Sequence, residues 1–281
     1  MIAQLLIAQL LIAPLLTMAL LLLSPSAASE PKPLLTLVTS VAPPYMIKQP
    51  PSGLDIDTVR AALEYQGYRV RVEFVSLTRT LMEVKAGRAD VAVPSFATAD
   101  DGLYNGDSHI RYRPTVFSLL KRNIQLDKTG DMGRYCIATF QGATGYFGPD
   151  FVNAAQQSPL YYEHHSMPQL IDMLLMERTD LVVLDYRIFR HYYQQKGYQA
   201  RYRANETIFP PVPAMPVFND PAVRDQFNIG LAAIRSNGTY QAIMTRYGHD
   251  LPDNEPQLPQ PLNLPQPAVL PSSQPTVENG E

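Results

Sequence analysis

Tyr45, Ser95, Gly142, Ala143, Thr144 and Asp185 are the groups of this chain best placed for chemistry, because each falls where an apolar, strand-like run ends. Ligands of open parallel sheets bind outside the carboxyl ends of the strands, so residues at those ends predict a binding site. The chemistry they offer is non-covalent. A tyrosine ring supplies a flat apolar wall, backbone amides at a helix start at Gly142 to Thr144 suit an anion, and the Asp185 carboxylate suits an ammonium. Together they describe a pocket for a small zwitterion. Each also has a structural alternative: Tyr45 as a packed turn residue behind Pro43-Pro44, Gly142 to Thr144 as an ordinary helix cap, and Asp185 as the cap of the helix that follows it.

Catalytic and metal-bound readings have less to stand on. Glu163-His164-His165 is the best metal candidate, but adjacent histidines on a strand point to opposite sides and no third ligand stands at a useful spacing. Ser95, Ser166 and the remaining histidines form no nucleophile-elbow pattern. The expectation is therefore a binding protein with no catalytic residue, no metal and no cofactor.

Such a site needs two sheets facing one another, and a repeated phrase predicts them. Ala86-Gly87-Arg88-Ala89-Asp90 leads into Val91-Ala92-Val93, and Met176-Glu177-Arg178-Thr179-Asp180 leads into Leu181-Val182-Val183-Leu184. Each copy follows apolar residues at helical spacing, Leu77, Leu81, Met82 and Val84 in one case and Leu170, Ile171, Leu174 and Leu175 in the other. That order reads as a helix, a tight turn and a fully buried strand of a parallel sheet. Around the first copy lie strands at Leu34 to Ser40 and Val70 to Phe74 and a helix at Asp55 to Gln66. Thr115 to Leu120 reads as one more strand of the first set, Cys136 to Phe140 opens the second, and Pro221 to Ser236 and Thr239 to Tyr247 read as closing helices. The expected lobes are residues 29 to 120 with 215 to 250, and residues 121 to 214, with hinge crossings near Leu120 to Asn123 and Val212 to Val217. Asp57, Asp90 and Asp180 are expected to be structural.

The formal charge of −3 and pI near 6.0 argue against a nucleic-acid surface. Ile2 to Leu23 is almost wholly apolar and is followed by Ser26 and Ala28, so residues 1 to 28 read as a signal peptide cleaved after Ala28. The alternative is an uncleaved inner-membrane anchor at residues 2 to 23; either way the folded part is expected in the periplasm. Cys136 is the single cysteine and is expected to be a buried structural thiol. From Leu251 to Glu281, eight prolines among Gln, Asn and Ser predict an extended, disordered tail.

Over about residues 34 to 249 the ordered motifs resemble the bacterial extracellular solute-binding proteins of family 3, the amino-acid receptors of ABC importers. Pro43-Pro44-Tyr45 is similar to the family's Pro-Pro-aromatic, Gly53-Leu54-Asp55-Ile56-Asp57 to its Gly-Phe-x-x-Asp helix start, and Gly87-Arg88-Ala89-Asp90 to its Gly-x-x-Asp. Gln141-Gly142-Ala143-Thr144 resembles its Gly-Thr turn, Asp180 to Asp185 its Asp-hydrophobic-x-Asp strand, and Phe227 to Gly248 its closing helices. The resemblance implies a type II periplasmic-binding-protein-like α/β fold of two lobes, each a mostly parallel sheet flanked by helices, joined by a two-segment hinge. It implies a monomer that captures a small polar ligand, an amino acid or related amine, for an inner-membrane ABC permease. One departure stands out. The family's Thr-x-x-Arg, whose arginine grips a ligand carboxylate, is here Thr98-Ala99-Asp100-Asp101-Gly102. Thr98 is kept as a candidate contact, and Arg111 or Arg113 is the candidate source of the missing charge. The alternative is a transport-independent module that reports ligand to a membrane sensor.

Overall fold

The computed structural model describes residues 32–95, 101–197 and 201–248, and its elements belong to one compact unit that begins at Pro33. In the first lobe, β1 (Leu34–Thr39) pairs in parallel with β2 (Arg69–Phe74) and β3 (Val91–Ala92). Parallel neighbours need crossovers, which α1 (Leu54–Tyr65) and α2 (Leu77–Lys85) provide. Antiparallel pairing of β3 with β12 (Val217–Phe218), and of β12 with β4 (Tyr104–Asn105), completes the sheet.

The second lobe has the same plan. β7 (Ile137–Phe140) lies parallel to β8 (Tyr161–His164) and β9 (Leu181–Asp185), with α3 (Ala143–Tyr146), α4 (Pro149–Gln157) and α5 (Met167–Leu175) in the crossovers. Antiparallel pairing of β9 with β6 (Pro114–Leu119), and of β6 with β10 (Tyr202–Asn205), completes this sheet. Between the lobes the chain crosses as a separate ribbon, β5 (Ile110–Tyr112) antiparallel to β11 (Val212–Ala214), with Val212 opposite Tyr112.

The repeated phrase does the same physical task in both lobes. Its turn needs a left-handed residue, Gly87 at φ 67° and Glu177 at φ 57°. The following aspartate then grips the start of the neighbouring inner strand, β1 or β7: Asp90 Oδ2 accepts the Thr36 amide at 2.7 Å, and Asp180 Oδ2 accepts the Cys136 amide at 3.0 Å. At the far end of the same strands, Thr39 Oγ1 donates to the Val93 carbonyl at 2.6 Å and Thr139 Oγ1 to the Val183 carbonyl at 2.8 Å. Edge groups that would otherwise be buried without partners are thereby satisfied. Arg88 stays at the surface, paired with Glu83.

The sequence reading puts Thr115 to Leu120 in the first lobe and a hinge crossing at Leu120 to Asn123; the structure differs. β6 lies inside the second sheet, Thr115 opposite Leu184 and Phe117 opposite Ala204. Leu120–Arg122 is a 3-10 turn at its end, and the crossing is β5. All six residues of β6 are buried, a pattern that marks a central strand without saying of which sheet. Both sheets are also mixed instead of mostly parallel.

Two closing helices, α7 (Pro221–Ser236) and α8 (Thr239–Arg246), cover the first lobe. Just beyond α8, the Tyr247 hydroxyl donates to Asp57 Oδ2 at 2.6 Å and accepts the Gly53 amide at 2.9 Å. α7 crosses α1 so closely that a Cβ on Gly230 would stand 2.0 Å from the Ala62 carbonyl oxygen. Gly230→Ala therefore has to push two helices apart, at an expected cost of about 3 kcal/mol. Gly87→Ala, whose Cβ would meet open space, costs only the left-handed backbone, about 1 kcal/mol. Urea unfolding of both variants checks the order; an equal or smaller loss for Gly230→Ala would contradict the close crossing.

Candidate functional site

β1 ends at Thr39, and the chain from Ser40 to Gly53 must loop back before α1 can start. Gly53 makes this work: its φ is 124°, and a Cβ there would lie 2.2 Å from the Tyr45 carbonyl oxygen. The amides of Leu54 and Asp55 donate to the carbonyls of Pro44 and Tyr45, each at 3.1 Å. Tyr45 is thus pinned at the strand end, fully buried and edge-on to Tyr112, with ring centroids 4.7 Å apart. Behind the two rings, buried Asp55 accepts the Tyr112 hydroxyl and pairs with His109 Nε2 at 3.0 Å. The first turn of α1 is thereby tied to the ribbon.

Opposite this wall, Asp185 ends β9 and caps α6 (Tyr186–Gln195). Its Oδ1 accepts the amides of Arg187 at 2.8 Å and Ile188 at 3.2 Å, and its Oδ2 accepts the amide of Arg113 at 2.7 Å. Burial pushes the Asp185 carboxyl above its ordinary value despite the pull of these amides. Burial first, and then the Asp185 charge, push the Tyr45 phenol well up. The Tyr45 hydroxyl lies beside the Asp185 carboxylate without a well-formed hydrogen bond, and Ser40 Oγ likewise makes none; both atoms are buried.

A chamber of about 60 Å3 lies between these walls. Tyr45, Met46 and Tyr112 line one side, and Phe140, Tyr146 and Asp185 the other. It shares Leu77, Pro94, Phe140 and Tyr146 with an outer compartment of about 260 Å3, whose polar lining includes Thr78, Ser95, Gln141 and Gly142. One cleft results, apolar in its depth and more polar at its mouth. Among the described residues that line it there is no Lys, Arg or His.

The expected site residues are distributed as follows. Tyr45 and Asp185 line the deep chamber, and Asp185 is at the same time the helix cap of its alternative reading. Ser95 and Gly142 line the outer compartment, where Ser95 Oγ donates to Asn105 Oδ1 at 3.0 Å. Ala143 is buried at the start of α3 and lines neither. Thr98 lies outside the described residues. Arg113 reaches Asp185 only through its backbone amide; its guanidinium sits 5.2 Å above the Tyr186 ring and 3.5 Å from Glu206, and lines neither compartment.

Glu163 was not among the expected site residues, yet it occupies the anion position. It accepts the amides of Gly142 at 2.8 Å and Thr144 at 3.2 Å, the Thr144 hydroxyl at 3.2 Å, and the Tyr161 hydroxyl at 2.6 Å. Burial alone would raise its carboxyl, but these hydrogen bonds outweigh burial and hold it below the ordinary carboxylate range. The available signal was its place in a strand: β8 runs parallel to β7, with Glu163 opposite Thr139 and so beside the Gly142 turn.

His164 and His165 stack with centroids 4.6 Å apart, not on opposite sides of a strand. β8 ends at His164, so strand alternation no longer governs the next residue. Among the described residues no three His, Cys, Asp or Glu side chains form a metal-binding group. Cys136 is half-buried, not buried, and burial and Asp180 push its thiol up.

The family model for bacterial extracellular solute-binding proteins, family 3, matches residues 35–250. Among solved structures, an ancestral arginine-binding protein bound to arginine is similar at 16% identity and a TM-score of 0.66, with 78% of this chain and 99% of that chain covered. A substrate-binding protein of an ABC uptake transporter from Streptococcus pneumoniae, with bound histidine, has 16% identity and a TM-score of 0.63, covering 76% and 92%. A histidine kinase sensor domain with similarity to periplasmic binding proteins has 15% identity and a TM-score of 0.65, covering 76% and 95%. At such identities the likeness is one of fold, the two-lobed type II periplasmic-binding-protein fold. No curated protein matches the chain. No helix among the described residues is long and apolar enough to cross a membrane.

Glu163→Gln keeps the shape but removes the charge from the hydrogen bonds at Gly142 and Thr144, and is expected to cost about 1–2 kcal/mol near neutral pH. The folded value of Glu163 lies below the unfolded one, so its stabilisation is complete above the ordinary carboxylate range and is lost as pH falls through the folded value. Urea unfolding at about pH 7 and about pH 3 should show the gap between wild type and Glu163→Gln shrinking in acid. A gap independent of pH would contradict the assignment.

Proposed function

Because the chain belongs to the bacterial extracellular solute-binding proteins of family 3, we propose that it captures a small ligand in the cleft between its lobes. The observation that carries this reading is the cleft itself: Tyr45 from one lobe and Asp185 from the other wall one chamber, with a buried hydroxyl unpaired inside it. A ligand touching both walls favours the closed arrangement by its differential contacts. The β5–β11 ribbon is the hinge, since two short paired strands at the crossing can bend while each sheet moves whole. On this reading residues 1 to 28 direct export and are removed, and the folded chain acts in the periplasm as a non-enzymatic monomer. Delivery of an amino acid or related amine to an inner-membrane ABC permease is the role that the family's resemblance supports.

A second reading is favoured by two observations. The amides of Gly142 and Thr144 are filled by Glu163, and no arginine stands at Thr98 to Gly102. A chain altered at both places suits a transport-independent binding or sensing module.

Thermal-shift screening of amino acids, polyamines and simple amines at about millimolar concentration tests the common core of both readings, because a ligand that binds only the native state raises stability. A ligand found this way should lose its shift in Tyr45→Ala and Asp185→Ala, each compared with its own ligand-free melting temperature. Undiminished shifts in both variants would move the binding site out of the cleft.

A further inference from the structure

The chemistry of the cleft walls narrows the ligand further. The deep chamber, at about 60 Å3, has room for only a few waters, so it takes one end of a ligand while the rest occupies the outer compartment. Its walls are aromatic and aliphatic, and its one charged group is Asp185. Tyr45, fully buried, and Ser40, 7% exposed, line it with hydroxyls that make no hydrogen bond. Buried hydroxyls without a well-formed hydrogen bond are uncommon in a folded interior, and these two meet at one chamber with the Asp185 carboxylate beside the Tyr45 hydroxyl.

An α-amino acid seated by its α-ammonium is a poor occupant. Its carboxylate carbon sits two bonds from that nitrogen, so placing the α-ammonium against Asp185 drags the carboxylate into the same chamber. There it would meet Asp185 and aromatic rings, and among the described lining residues no cation answers it; the Arg187 charge is felt at Tyr45, but Arg187 lines neither compartment. The segment Phe96 to Asp100 contains no Lys, Arg or His either. The guanidinium of Arg113 lies over Tyr186 and 3.5 Å from Glu206, lines neither compartment, and has a buried Nε without a hydrogen bond, and the amides of Gly142 and Thr144 already hold a carboxylate, that of Glu163. An organic ammonium without a carboxylate suits every one of these features. It pairs with Asp185 among the rings of Tyr45, Tyr112, Phe140 and Tyr146, a ring type whose faces attract cations. Its N–H groups offer donors to the hydroxyl oxygens of Ser40 and Tyr45.

Resting on the reading of this cleft as the binding site, we infer that its ligand is a small organic amine carrying no carboxylate, with the ammonium head beside Asp185 and the body in the outer compartment. Glu163 is the selectivity element, an internal carboxylate in place of the ligand's own.

Matched pairs differing only by the carboxylate test this on the full-length protein: tyramine against tyrosine, phenethylamine against phenylalanine, histamine against histidine and cadaverine against lysine, by calorimetric titration. In at least one pair the amine should bind about tenfold or more tightly than its amino acid, because an unanswered buried charge is costly. Asp185→Asn, confirmed folded by circular dichroism, should remove that preference. In Glu163→Ala the amides of Gly142 and Thr144 are open, and the amino acid should gain about tenfold on the amine. Amino acids binding as tightly as their amines to wild type would overturn the inferred ligand class while leaving the cleft as the site. No binding of any member of any pair would overturn both. A Glu163→Ala preference equal to wild type would remove Glu163 from selectivity.

Discussion

Asp185 gathers three segments onto one carboxylate. Arg113, where the ribbon gives way to β6, and Arg187 and Ile188, where α6 begins, all donate backbone amides to it. Burial opposes the charge and the amides favour it, so removing the carboxylate would strand buried donors at the entrance of β6 and at the head of α6 together. The same group is the one charged atom set in the deep chamber. Structural cap and ligand contact are therefore not competing descriptions of this residue; the chain needs the carboxylate for its own amides, and one edge of it still faces the cleft.

Around that clamp the two lobes use equivalent fastenings. Asp90 and Asp180 secure the starts of β1 and β7, and Thr39 and Thr139 tie their far ends to the neighbouring chain at Val93 and Val183. Asp185 ends the strand that Thr139 holds, and Tyr45 lies on the loop that leaves β1. The Asp55 network with His109 and Tyr112 ties the first wall to the ribbon, so the ribbon is itself part of the chamber lining.

What was legible in the sequence was what is local. The repeated phrase combines a left-handed turn with an aspartate that reaches the neighbouring strand, and both are encoded within a few residues; the order of the motifs carried the family. The place of β6 was not legible, because six buried residues in a row fit either sheet, and the choice depends on pairing with Leu181 to Asp185, far along the chain. Arg113 was a reasonable candidate for a carboxylate partner by position, but the direction of its side chain is set by Tyr186 and Glu206, which the fold brings from elsewhere. Glu163 was hidden for a similar reason. Tyr161 to His164 has the polar alternation of an edge strand, and only the parallel pairing with β7 sets its carboxylate beside the Gly142 turn.

Glu163 also has a kinetic and competitive meaning. A group tethered to its own binding site is present there at an effective concentration on the order of millimolar or more, whatever the surroundings contain. On the proposed reading a diffusing carboxylate at about micromolar levels has to compete with this tethered partner, and its apparent affinity falls in proportion to the fraction of time the amides stand open. The turn that begins at Gly142 thus carries a built-in competitor, whose strength is set by the protein's own geometry and not by the supply of any metabolite.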